Sequence, residues 1–114
     1  MTARYVPERG DLIRLTFDPQ AGHEQAGRRP ALVLSPAAYN ERSRLALVCP
    51  VTTRRKGYPF EVVLPGGLPI AGVILADRVR NLDWMARCAR FEVQAPDAVV
   101  TEVRARLRPL LLGP

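Results

Sequence analysis

Along most of this chain apolar and polar residues alternate in short runs, and only the C-terminal end repeats at helical spacing. From Asp11 to Phe17, Leu12, Arg14 and Thr16 fall on one face and Ile13, Leu15 and Phe17 on the other, which predicts a strand with its odd-numbered face in the core. The apolar run Pro30 to Leu34 predicts a second strand, buried on both faces. Leu45 to Val51 predicts a third, with Pro50 marking an edge or a bulge because it cannot donate to a ladder. Phe60 to Leu64, Gly72 to Ala76 and about Arg87 to Val93 read as further strands, with a turn at Pro65 to Pro69. Between the second and third strands, Ser35 is expected to cap a short helix that has Pro36 at its first position and runs to about Arg42.

The period changes near Asp97. Val99, Val100, Val103, Leu107, Leu110 and Leu111 share one helical stripe, and Glu102 stands four residues before Arg106. An amphipathic C-terminal helix is expected, kinked or ended near Arg108 because Pro109 lacks a donor. Many short strands joined by Gly/Pro turns, in a chain of 114 residues, predict a mainly β domain spanning 1–114. Its strands should form a small, strongly curved antiparallel sheet or barrel, accompanied by a short helix and the C-terminal helix.

Composition adds a charge bias. Seventeen basic residues against eleven acidic ones give +6, and Lys56 is the only lysine. Arginine forks onto phosphate and stacks on bases, so this balance suits nucleic acid or an acidic protein partner, although a GC-rich genome produces the same bias. No run approaches the roughly 20 apolar residues of a membrane span, and the N-terminus has no apolar run of signal-peptide length, so a cytoplasmic location is expected. Cys49 and Cys88 form no CxxC arrangement and are expected to be buried and reduced.

The residue inventory narrows the chemistry. His23 is the only histidine, which removes two-histidine acid/base schemes, His-rich zinc sites and H-E-x-x-H hydrolases. No G-x-x-x-x-G-K loop and no clustered carboxylates are present, so neither a metal nor a cofactor is expected. Two polar segments remain. One is Gly22 to Arg29, within the connection Asp18 to Arg29 whose length of about twelve residues marks it as functional. The other is Thr52 to Tyr58. In a small barrel, the start of one strand and the end of its antiparallel neighbour share an edge. Arg28, Arg29, Arg54, Arg55 and Lys56 should therefore gather with Tyr58 in one basic, base-stacking groove. Trp84, Phe17 and Phe91 are expected in the core or at a dimer interface. Arg78 and Arg80 are expected to face solvent or an acidic partner, and Arg104, Arg106 and Arg108 to form the wet side of the last helix.

RYVPERGDL, GHEQAGRRPALVLSP with the following YN, TTRRKGYPFEVVL and GVILADRVRNLDW resemble, in order and spacing, the MazF family of PemK/Kid-like endoribonuclease toxins. The resemblance runs through nearly the whole chain. It implies a small SH3-like or CcdB-like barrel that forms a homodimer and cleaves single-stranded RNA at a short sequence without a metal or the ribosome. An acidic MazE-like antitoxin would hold it inactive. Carried over by position, Arg29 and Thr52 fall on the family's catalytic Arg and Thr, and Glu24 on a glutamate important for activity. Gln25, Arg28, Thr53, Arg54, Arg55, Lys56 and Tyr58 fall on loop positions that face RNA. His23 stands where a small residue is frequent, and Arg28 where relatives vary.

Metal-free cleavage of this kind uses the ribose 2′-OH as nucleophile and leaves a 2′,3′-cyclic phosphate and a 5′-OH. Arg29 suits charge neutralisation at the phosphate, and Thr52 can donate a hydrogen bond to it. A guanidinium with a pKa above roughly 12 is a poor base, which leaves Glu24 to orient Arg29 or accept the 2′-OH proton, and His23 as a competing proton carrier. Two other classes compete. A gyrase poison of the CcdB kind would act by binding protein, but LLLGP lacks the Trp-Gly-Ile terminus of such toxins. A non-catalytic nucleic-acid-binding barrel would explain the arginines without needing Glu24 or Thr52.

Overall fold

The computed structural model describes residues 4–17 and 28–113. Seven strands and two helices follow in the order β1 (Asp11–Thr16), β2 (Arg28–Val33), α1 (Ala37–Ser43), β3 (Leu45–Thr52), β4 (Glu61–Val63), β5 (Val73–Leu75), β6 (Arg80–Asp83), β7 (Arg90–Gln94) and α2 (Asp97–Leu112). The strands form one antiparallel sheet ordered β4-β5-β3-β2-β1-β7, with β6 also paired to β3. The mainly β expectation holds. Among the described residues the sheet is open, with β4 and β7 as its ends.

Strand β3 is the pivot. Its first half, Leu45 to Val48, pairs with β6, and its end, Val51 and Thr52, pairs with β5. Cys49 and Pro50 lie between these two ladders, opposite the chain that turns from β5 to β6. Pro50 therefore sits neither on an edge strand nor on a bulge. It occupies an interior strand at a corner where one side offers no ladder partner, so its missing N–H is tolerated. The other side of β3 pairs with β2 through Ala31↔Pro50, Leu32↔Cys49 and Val33↔Val48.

Both faces of the sheet are covered. Leu12, Leu32, Cys49, Val51 and Ile74 pack beneath Val99, Val103 and Leu107 of α2. Burying each of those three helix residues contributes roughly 1.5–3 kcal/mol before entropy is counted. Ile13, Leu15, Phe17, Ala31, Val33 and Val48 form the second cluster with Trp84, whose indole N–H donates to the Asn40 carbonyl at 2.9 Å. The odd-numbered face of β1 is thus core as expected, and Leu12 on the other face is buried as well, beneath α2.

Several local expectations are corrected. Ser35 does not cap α1, whose N-cap is Pro36 without a side-chain bond. Its hydroxyl donates to Asn40 Oδ1 and accepts from the Leu47 N–H at 2.9 Å, tying α1 to β3. The α2 helix continues past Pro109 to Leu112, because the Gly113 N–H bonds the Pro109 carbonyl and the final turn closes. Strand β6 is not among the strands that the alternation predicts, and the last strand begins at Arg90, rather than about Arg87, because Trp84 to Ala89 form a tight turn. Cys88 is exposed because it lies in that turn, against the expectation that both cysteines are buried, while Phe91, on the end strand after it, is 50% exposed and so lies outside the core of the single chain. No described helix is long and apolar enough to cross a membrane.

Candidate active site

A groove of about 720 Å³ opens at the corner where β3 changes partners. Phe17 and Arg29 form one wall, Pro50, Val51 and Thr52 the floor, and Arg54, Lys56, Tyr58, Phe60 and Glu61 the second wall. The β5–β6 corner closes it with Leu75, Asp77, Arg78, Val79 and Arg80. Five cations line this one depression.

The strand register brings Arg29 and Thr52 to the same end of the sheet. Ala31 lies across from Pro50, the last pair of the β2–β3 ladder, and Arg29 and Thr52 each stand two residues beyond it on their own strands, both lining the groove. Residues two apart share a face, so both side chains point to the groove side of the sheet. The Thr52 hydroxyl accepts a hydrogen bond from the Arg54 N–H at 3.1 Å, which leaves its own hydrogen free to donate into the groove. Gly72 holds Thr52 from behind. It pairs close against the Thr52 backbone at φ +124°, where a Cβ would stand 2.2 Å from the Thr52 carbonyl oxygen. Only glycine fits that approach.

The basic segment after β3 is shaped by Glu61. Its carboxylate accepts from the Gly57 N–H at 2.8 Å and from the Lys56 N–H at 3.1 Å. The Lys56 ammonium lies 5.8 Å from the Tyr58 ring centroid, a cation over an aromatic face at the groove wall. On the opposite wall the Arg80 guanidinium stands 5.4 Å from the Phe17 ring centroid.

The expected residues therefore divide. Arg29, Thr52, Arg54, Lys56 and Tyr58 line the groove together, whereas Thr53 and Arg55 are exposed outside its lining. Arg28 turns its guanidinium to the Arg14 and Cys88 carbonyls, both at 3.2 Å. Arg87 likewise donates to the carbonyls of Thr16 and Phe17 at the end of β1. Glu24, Gln25 and His23 lie outside the described residues. Sequence reasoning missed Glu61, Gly72, Arg78 and Arg80 as members of this site. The acid in FEVVL, inside a strand yet after a basic loop, and the glycine opening GVILA were the available signals for two of them.

A mainly β fold with a basic, aromatic-flanked groove at a strand-switch corner has the charge and shape that suit a polyanion. The chain belongs to the family described as PemK-like, MazF-like toxin of type II toxin–antitoxin system, which matches residues 8–111. It is 47% identical over 111 residues to the endoribonuclease toxin MazF of Escherichia coli K12, covering 97% of this chain and 99% of that one. It is 40% identical over 110 residues to the endoribonuclease PemK of Escherichia coli, covering 91% and 81%. The crystal structure of MazF from Deinococcus radiodurans superposes with a TM-score of 0.86 at 59% identity, covering 95% of this chain and 98% of that one. A MazE–MazF structure from the same organism gives 0.87 at 57% identity, covering 94% and 97%.

Proposed function

We propose that this chain is an endoribonuclease toxin that cuts single-stranded RNA at a short sequence, independently of metal and ribosome. The observation that carries this reading is that Arg29 and Thr52 line one groove together with further cations and Tyr58. The 2′-OH gives up its proton as its oxygen attacks phosphorus, the P–O5′ bond breaks, and O5′ takes up a proton from solvent, so that a 2′,3′-cyclic phosphate and a 5′-OH are left. Arg29 neutralises the non-bridging oxygens as charge builds on them, and the Thr52 hydroxyl donates a hydrogen bond to the same phosphate. Glu24 orients Arg29 or takes the 2′-OH proton, with His23 as the competing carrier whose ordinary pKa near 6.5 suits the task. Arg54, Lys56 and Tyr58 hold the flanking strand.

The test is a long single-stranded RNA incubated with the protein in EDTA. Cuts at one recurring short sequence with 5′-OH ends are expected. Arg29→Ala should slow them at least about a hundredfold, the effect of removing one preorganised transition-state donor. Cleavage by that variant at the wild-type rate would sink the assignment. Intact RNA that is merely retained would make the protein a binder. His23→Ala should flatten one limb of the pH–rate profile if His23 carries a proton, and an unchanged profile removes it.

Two partners accompany this reading. An acidic, MazE-like antitoxin complements a +6 chain whose groove is basic. A second copy of the chain is favoured by α2, whose buried stripe ends in Leu110, Leu111 and Leu112 at 54%, 74% and 71% exposure. A single domain working in the cytoplasm completes the proposal.

A further inference from the structure

Glu61 is a carboxylate with only 8% of its surface exposed, at the wall of a groove that is otherwise basic. A buried charge placed there must be compensated, and the compensation is specific. Both carboxylate oxygens take the Lys56 N–H, at 3.1 and 3.2 Å, and one of them also takes the Gly57 N–H at 2.8 Å. Glu61 is itself fixed by the β4–β5 ladder, across from Leu75, and by its own N–H on the Tyr58 carbonyl at 3.1 Å. A rigid strand thus holds, through one acid, the backbone of the exposed loop that carries Lys56 and Tyr58. The φ of +82° at Gly57 turns the two amides toward the same point.

We propose that Glu61 is a positioning residue of the RNA site. Its carboxylate fixes the loop from Thr53 to Tyr58 so that Lys56 and Tyr58 stand along the groove wall before RNA arrives. The inference rests on the proposed RNA cleavage for its consequence, and on the loop geometry alone for its cause. A preorganised loop lowers the cost of binding without touching the reacting phosphate, so the effect belongs to KM.

The experiment compares wild type, Glu61→Gln and Glu61→Asp. The glutamine keeps the shape and loses the charge, and the aspartate keeps the charge and falls one methylene short. Amide hydrogen exchange, followed by NMR on the protein without RNA, should quicken at least about tenfold at Lys56 and Gly57 in Glu61→Gln, with β3 and β5 amides unchanged. On an RNA bearing one cut site, KM should rise about five- to tenfold with kcat within about twofold, the loss expected when a charge-assisted hydrogen bond becomes a neutral one. Combined with Lys56→Ala, Glu61→Gln should add less than its separate factor, while combined with Arg80→Ala the two factors should multiply. Unchanged exchange at Lys56 and Gly57, an unchanged KM, or full multiplication with Lys56→Ala overturns the inference. Glu61→Asp, expected to fall between the other two, decides the same points if the glutamine variant does not fold. Wild-type protein that leaves RNA intact overturns the cleavage reading instead, and the exchange measurement still judges the clamp.

Discussion

At the scale of single residues, burial assigns opposite roles to side chains of the same type. Cys49 is fully buried, and burial, with the charge of Asp77 adding to it, pushes its thiol up to about 12. A thiol held neutral in the fold contributes its stability in full below the ordinary thiol range and loses it as pH climbs toward 12. Cys88 is exposed. A disulfide dye at pH 8 should therefore titrate one thiol in the native protein and two in denaturant. Two titrating promptly in the native state would contradict the burial of Cys49. Asn40 is a second case, fully buried, with its amide N–H groups on the carbonyls of Pro7 at 2.7 Å and Ser35 at 3.0 Å. Asn40→Ala should cost about 2–4 kcal/mol in a urea titration, since buried polar groups that lose their partners cost about 1–3 kcal/mol each. Neither role follows from residue identity: Asn40 sits in a polar run, YNERS, that gives no sign of burial.

The elements show where local pattern suffices and where it fails. β1, β3 and α2 follow from periodicity because each buries a continuous stripe against the sheet or helix beside it. Of the kink or end expected near Arg108, the end does not occur, since losing one backbone bond in the last turn is offset when the chain beyond still closes that turn. β6 carries little alternation because RNLD buries only Leu82, and its pairing to the first half of β3 is a long-range contact. The β3–β5 contact carries the sharpest test at this scale. Gly72→Ala would drive a methyl into the Thr52 carbonyl and strain a positive φ, which should lower stability by about 2–4 kcal/mol. It should also reduce RNA cleavage in the fraction that remains folded, by displacing Thr52. A variant as stable and active as wild type would mean that β5 does not press on Thr52 at this point.

For the whole molecule, charge is the governing quantity. Single-stranded RNA held by an Arg29→Ala protein should bind with an affinity that falls steeply with salt. Contacts from Arg54, Lys56, Arg78 and Arg80 predict a log–log slope of about −3, at roughly 0.7 per phosphate. A slope near zero would place the RNA elsewhere. Sedimentation equilibrium should return a mass of two chains of 12.6 kDa if the exposed leucines of α2 lie in a dimer, and one chain if they do not.

The sequence by itself determined the strand-rich class, the amphipathic last helix, the basic balance and the family, because periodicity, composition and the GHEQAGRRP and TTRRKGY segments are local properties of the chain. It also indicated that the two polar segments share a groove. Only the tertiary structure decided which cations line it. Arg29 and Arg28 are neighbours in sequence, yet the pleat sends the first to the groove, while the second spends its guanidinium on the Arg14 and Cys88 carbonyls. Arg78 and Arg80 reach the same groove because β3 exchanges β6 for β5 at Pro50, which folds the β5–β6 corner over the site. Glu61 and Gly72 act through distances to Gly57 and Thr52 that strand pairing alone creates.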